Sequence, residues 1–137
     1  MTPDESKAFL QHWVEEVWNN KRLELVDDLV AESYERHDPG IPFEVRGPES
    51  LKQLIGMYLT AFPDLHLSTE QVVAEEGRVA FLLRASGTNG GEFMGAPATG
   101  KTVSVTAMEM LRIEDNKIAE QWVNLDVLNL LRQLGMA

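Results

Sequence analysis

The sequence predicts an α+β fold, with helices packed on one face of a curled antiparallel sheet. Up to about residue 62 the apolar residues recur with helical spacing, and from about residue 65 they alternate. The alternating segments are joined by short turn signals, which points to hairpins and an antiparallel sheet. Helices first and strands second is the order of an α+β domain.

Each element can be justified in turn. Thr2, Pro3 and Glu5 form a capping-box pattern with proline at the first helical position. Phe9, Trp13 and Val17 follow at i, i+4 and i+8, and Leu10, Val14 and Trp18 widen that stripe. Leu23, Val26, Leu29 and Val30 predict a second helix. A third opens at Gly47-Pro48-Glu49, carries Leu51, Leu54, Ile55, Tyr58, Leu59 and Phe62, and stops at Pro63. Strands are predicted over 65–75 and 78–88 with Gly77 between them, then over 102–113 and 118–125 with "EDNK" between them. A short helix over about 127–134 ends at Gly135. No linker, repeat or low-complexity stretch interrupts this order, so residues 1–137 read as a single domain.

The bulk properties narrow the function classes. With 44% hydrophobic and 25% charged residues, the composition is that of an ordinary globular domain. The net charge of −10, from 22 acidic and 12 basic residues, repels phosphate backbones and anionic lipid, so neither nucleic acid nor membrane is an expected partner. There is no cysteine, which excludes disulfides and thiol chemistry. The polar, acidic start "MTPDESK" is no secretion signal, and no apolar run approaches the ~20 residues of a membrane span. A cytoplasmic location is the expectation.

The segment "GAPATGKT", Gly95 to Thr102, matches the phosphate-binding pattern G-x-x-x-x-G-K-[ST]. That pattern works by leading into a helix whose N-terminal amides hold the phosphates. Here Val103, Val105 and Thr106 follow with period two, so the segment reads as a loop entering a strand, and no nucleotide partner is expected.

Alternation also shows which side chains share a sheet face. Val103, Val105, Ala107, Glu109, Leu111 and Ile113 form one row, in which Glu109 is the single acid. Val79, Phe81, Leu83, Ala85 and Gly87 form another, which Asn89 would end. Ile118, Glu120, Trp122 and Asn124 form a third, with Asp126 in register after it. Polar groups at the ends of apolar rows suit a pocket at the mouth of a curled sheet. Plainer roles stand beside that one. Asp126 precedes "VLNLLRQLG" and suits its N-cap. Glu109 suits a solvated edge, Asn89 a turn, His37 a loop, and Trp13 and Trp122 a core. His12, His37 and His66 lack ligand spacing, so no metal site is expected.

The stretches "HDPG", "GPESLKQLIGMYLTAFPDL", "GTNGGEFMGAPATGKTVSVTAMEMLRIEDNKIAEQW" and "DVLNLLRQLG" together resemble the SnoaL-like polyketide cyclases, also called ester cyclases, of the nuclear-transport-factor-2-like superfamily. The resemblance covers nearly the whole chain. It implies a cone-shaped barrel: a strongly curved antiparallel sheet with the N-terminal helices closing an apolar cavity. It implies an acid/base enzyme without metal or cofactor that closes a ring in a hydrophobic small molecule, or a related isomerase. The family's catalytic aspartate, a few residues after the Trp of the last strand, falls on Asp126. Glu109 stands where the cyclases carry a histidine, and Asn89 where many relatives do. On this reading Asp126 and Glu109 are catalytic, and Trp13, His37, Tyr58, Phe81, Asn89, Trp122 and Asn124 contact substrate. Alternatives are a binding module of the same fold and an epoxide-opening hydrolase. An acid–Arg–acid arrangement around a water would favour the hydrolase, but Arg84 and Arg112, within the predicted strands, point away from the Asp126 row. A homodimer through the open sheet face is expected, because apolar residues such as Met108 and Met110 occupy it.

Overall fold

The computed structural model describes all residues, Met1–Ala137. Helix α1, Pro3–His12, starts with the capping box: the Thr2 hydroxyl accepts from the Glu5 amide at 3.1 Å, and the Glu5 carboxylate accepts from the Thr2 amide at 3.0 Å. The chain then widens into a π-helical segment, Trp13–Asn19. A 3₁₀ turn, Leu23–Leu25, and a single helical turn α2, Val26–Leu29, lead into strand β1, Val30–His37. Helix α3, Gly47–Ala61, follows. Then come β2 His66–Glu75, β3 Arg78–Thr88, β4 Thr102–Glu114, β5 Lys117–Leu125 and α4 Val127–Gln133. No helix is long and apolar enough to cross a membrane.

The predicted second helix is corrected here. Its apolar stripe ends after one turn, and the chain goes over to β1 at Val30. The sheet therefore has five strands in the order β1-β5-β4-β3-β2. The four strands expected from the sequence pair antiparallel, while β1 joins the edge of β5 in parallel. Such a pairing needs a long crossover, and α3 with β2–β4 supplies it.

Between β4 and β5 the register slips: Ile113 pairs with Ile118, but Arg112 pairs with Glu120, leaving Ala119 as an extra residue. One inserted residue exchanges the two faces for everything beyond it. Past the slip, Glu109 lies opposite Val123 and Met110 opposite Trp122. The inward row of β5 is thus Gln121, Val123 and Leu125, and the row of Glu120, Trp122 and Asn124 faces outward. This is the opposite of the phase expected from uninterrupted alternation.

The helices close the inner face. Leu10, Trp13, Val14 and Val17 pack with Leu51, Leu54 and Ile55 of α3 on Val79, Phe81, Leu111 and Ile118 of the sheet. The Asn19 amide clamps edge strand β2 by bonding both the carbonyl and the amide of Leu67, at 2.9 and 2.8 Å. A smaller cluster of Phe62, Phe93, Val103, Val105, Leu130 and Leu134 holds α4 to β4. The β3–β4 connection passes so close to α3 that a side chain on Gly91 would sit 2.0 Å from the Thr60 carbonyl oxygen. The stretch from Gly95 to Lys101 leads straight into β4 and not into a helix, as its sequence predicts.

Candidate active site

The concave face of the sheet and the helical layer enclose a cavity lined by twenty residues, sixteen of them hydrophobic. The other four, Arg36, Asp38, Glu109 and Gln121, make one polar end in an otherwise apolar space. The cavity has a volume of about 80 Å³, enough for several waters or for the reacting end of a ligand. The apolar walls include Trp13, Trp18, Tyr58, Phe62, Phe81 and Leu130.

The polar end is a connected chain. Arg36 and Asp38 form an ion pair, Nε to Oδ2 3.0 Å, with both side chains all but sealed from solvent at 6% and 5% exposure. A buried pair of this kind persists only where further bonds hold it. Arg36 Nη1 also donates to the Tyr34 hydroxyl at 3.4 Å and to Gln121 Oε1 at 3.3 Å. The Tyr34 hydroxyl donates to Gln121 Oε1 at 2.7 Å, and Gln121 Nε2 donates to Glu109 Oε1 at 2.8 Å.

Burial shifts these groups in different directions. Glu109 is raised above the usual carboxylate range, because losing water disfavours its charge. Arg36 and the Gln121 bond pull it down again without cancelling the effect, and Asp38 adds to the rise. Tyr34 and Tyr58 are each pushed up to about 12, first by burial, so both stay protonated at neutral pH. Burial opposes the charge of Arg36, but Tyr34, Glu109 and Asp38 around it outweigh that and hold its pKa above the ordinary value. The polar end therefore offers a fixed cation, a carboxylate paired to it, and a carboxyl group whose charged form burial disfavours. That is the equipment of acid/base chemistry.

Of the residues singled out from sequence, Trp13, Tyr58, Phe81 and Glu109 line the cavity. The rest lie elsewhere. Asp126 is exposed and caps α4, accepting from the Asn129 amide at 3.2 Å, which corrects its expected place in the pocket. Asn124 is exposed and Trp122 is on the outer face, both carried there by the extra residue at Ala119. His37 is stacked on Trp122, ring centroids 5.3 Å apart, and its Nε2 is 2.7 Å from Glu120 Oε2. Glu35, His37 and Glu120 lie within 4.8 Å of one another on that outer face, but Arg46 already engages Glu35 at 3.3 Å and Arg112 engages Glu120 at 3.2 Å. Asn89 is fully buried and spends its amide on the fold. It donates to the carbonyls of Ala61 and Gly91 and accepts from the amide and hydroxyl of Thr99, which pins the β3–β4 connection to the end of α3.

Sequence reasoning missed Arg36, Asp38 and Gln121. Arg36 lies in β1, a strand that the local apolar spacing does not reveal, and Gln121 lies in the β5 row that the register slip turns inward. Tyr34, Arg36 and Asp38 do alternate from Val30 onward, a period-two signal hidden behind a helical stripe.

Residues 8–134 match the family model for SnoaL-like polyketide cyclases. The chain is 30% identical over 128 residues to the aklanonic acid methyl ester cyclase DauD of Streptomyces sp. (strain C5), covering 88% of this chain and 76% of that protein. Among solved structures, TsrD of Streptomyces laurentii superposes with a TM-score of 0.86 at 26% identity, over 100% of this chain and 99% of that one. AclR of Streptomyces galilaeus, a candidate hydroxylase, gives a TM-score of 0.86 at 32% identity, over 99% and 84%.

Proposed function

The chain belongs to the SnoaL-like polyketide cyclase family, and from that premise we propose that it closes a ring in a hydrophobic, carbonyl-bearing small molecule by acid/base catalysis, with Glu109 as the proton-transferring group. The observation that carries this reading is one carboxyl group with a raised pKa at the polar end of an apolar cavity. In the aldol scheme the Glu109 carboxylate takes a proton from carbon beside a carbonyl. The enolate carbon attacks a second carbonyl of the same molecule, one C–C bond forms, and the alkoxide recovers the proton from Glu109. A raised pKa makes the carboxylate a stronger base than an ordinary glutamate. The Arg36 guanidinium faces the same space and opposes the negative charge that develops on oxygen. Every proton transfer is served by side chains, so the scheme calls for no cofactor.

A second reading has its own support. Arg36 stands between two acids, bonded to Asp38 directly and linked to Glu109 through Gln121. Such a chain suits a carboxylate that activates water to open an epoxide. The two readings separate by experiment. An ester of the kind named for the related cyclase is the first substrate to try. Ring closure should proceed without incorporation of oxygen from labelled water, and Glu109→Gln should lose about a hundredfold or more in kcat, the usual scale for one general acid/base. Label in the product would favour the hydrolase, and full turnover by the glutamine variant would remove Glu109 from the mechanism. The same proposal includes a homodimer through the outer sheet face, where Met108 and Val73 are exposed. Light scattering that found a monomer at micromolar concentration would remove that part alone.

A further inference from the structure

We propose that Tyr34 is a positioning residue for Glu109, acting through the side-chain amide of Gln121. The inference rests on the role given to Glu109 above. Tyr34 is 1% exposed and does not line the cavity, so it cannot touch a ligand there. Its hydroxyl reaches Gln121 Oε1 at 2.7 Å, and Arg36 Nη1 reaches the same oxygen at 3.3 Å.

An amide has one accepting end and one donating end. Two donors on Oε1 settle which end is which, because a flipped amide would set its NH₂ against a guanidinium and a hydroxyl that has no other acceptor. The NH₂ is thereby aimed at Glu109, where Nε2 meets Oε1 at 2.8 Å. This arrangement does two things to the carboxyl. Its Oε1 is kept as an acceptor, so the transferable proton sits on Oε2. No sealed side-chain oxygen in the protein lacks a partner, and Oε2 has none, so Oε2 opens on the cavity. The Gln121 bond also favours the ionised form and restrains the rise that burial causes. The charged and titratable groups around Glu109 are Tyr34 and Arg36 of β1, Asp38 just beyond it and Tyr58 of α3, and only Gln121 bonds to it.

Tyr34→Phe keeps the ring and removes the hydroxyl, and Gln121→Met keeps the bulk and removes the amide. Carbon-detected NMR titration of the Glu109 carboxyl reads the wiring with no substrate present. Its midpoint should rise in both variants, more in Gln121→Met. With substrate, the acidic limb of the kcat profile should move to higher pH, and kcat at neutral pH should fall about tenfold while KM changes little. An unmoved Glu109 midpoint in Gln121→Met, or in a folded Tyr34→Phe, would overturn the proposal and leave these side chains as packing. A Tyr34→Phe chain that fails to fold leaves Gln121→Met to decide. An active Glu109→Gln variant would sink the catalytic role of Glu109, while the titrations still read whether Tyr34 and Gln121 act on it.

Discussion

Arg36 and Gln121 face each other across the parallel β1–β5 pair and point into the cavity, while Glu35, His37, Glu120 and Trp122, their immediate neighbours, point outward. Both sides carry an arginine, carboxylates, a second polar partner and an aromatic ring. Inside, the groups are desolvated and bonded in one chain, and burial moves the pKa of Glu109 up. Outside, water remains, and His37 and then Arg112 bond Glu120 and hold it below the usual carboxylate range. The difference teaches that residue type says little about role until the face is known. Here one extra residue at Ala119 decides the face for the second half of β5.

The largest expected effect comes from breaking the inner pair. Arg36→Met would leave Asp38 buried without its partner, and the loss should be about 3–5 kcal/mol, the usual scale for an uncompensated buried charge. On the outer face Arg112→Ala should move the melting temperature by only a small part of that, since exposed pairs contribute little. Denaturant unfolding of the two variants measures the contrast directly. Equal losses would show that the two faces do not differ in the way their burial says.

The next effect depends on pH. A carboxyl with a raised native pKa holds its proton more tightly in the folded chain than in the unfolded one. Its contribution to stability is fully present below the unfolded value of about 4.3 and is lost as pH rises through the native value. Glu109→Gln does not titrate and suffers no such loss. The variant should therefore melt progressively higher than the wild type as pH rises toward 8, and the gap should close near pH 4. A gap that stays constant over that range would mean that Glu109 is not shifted.

Much of this architecture was legible in the sequence. The antiparallel strands and α3 announce themselves through period, turn chemistry and caps, all of which are local. Glu109 was legible because an acid that interrupts an apolar row is conspicuous wherever the strand begins. β1 was not, because its only large apolar marks are Val30 and Tyr34 and its partner β5 lies about eighty residues further on. Trp122 misled for a different reason. A large aromatic draws its row inward, but the extra residue upstream had already turned that row to the outside. The more apolar alternative, Val123 and Leu125 beside Gln121, was the signal available.

The smallest expected effect concerns Asp126, the acid that the family resemblance singles out. It stands at the N-cap of α4, exposed, and its one side-chain bond is to the Asn129 amide. Asparagine caps about as well as aspartate, so Asp126→Asn should be near neutral in stability, while Asp126→Ala should cost about 1 kcal/mol. If catalysis runs through the cavity, Asp126→Asn should also keep kcat within a few-fold of the wild type, against the hundredfold loss expected of Glu109→Gln. The asparagine variant separates the two roles cleanly, because it preserves the cap and removes only the ability to exchange a proton. A large fall in its turnover with unchanged stability would mean that α4 swings Asp126 over the cavity mouth during the reaction. The proton-transferring group would then be sought on that helix and not on β4.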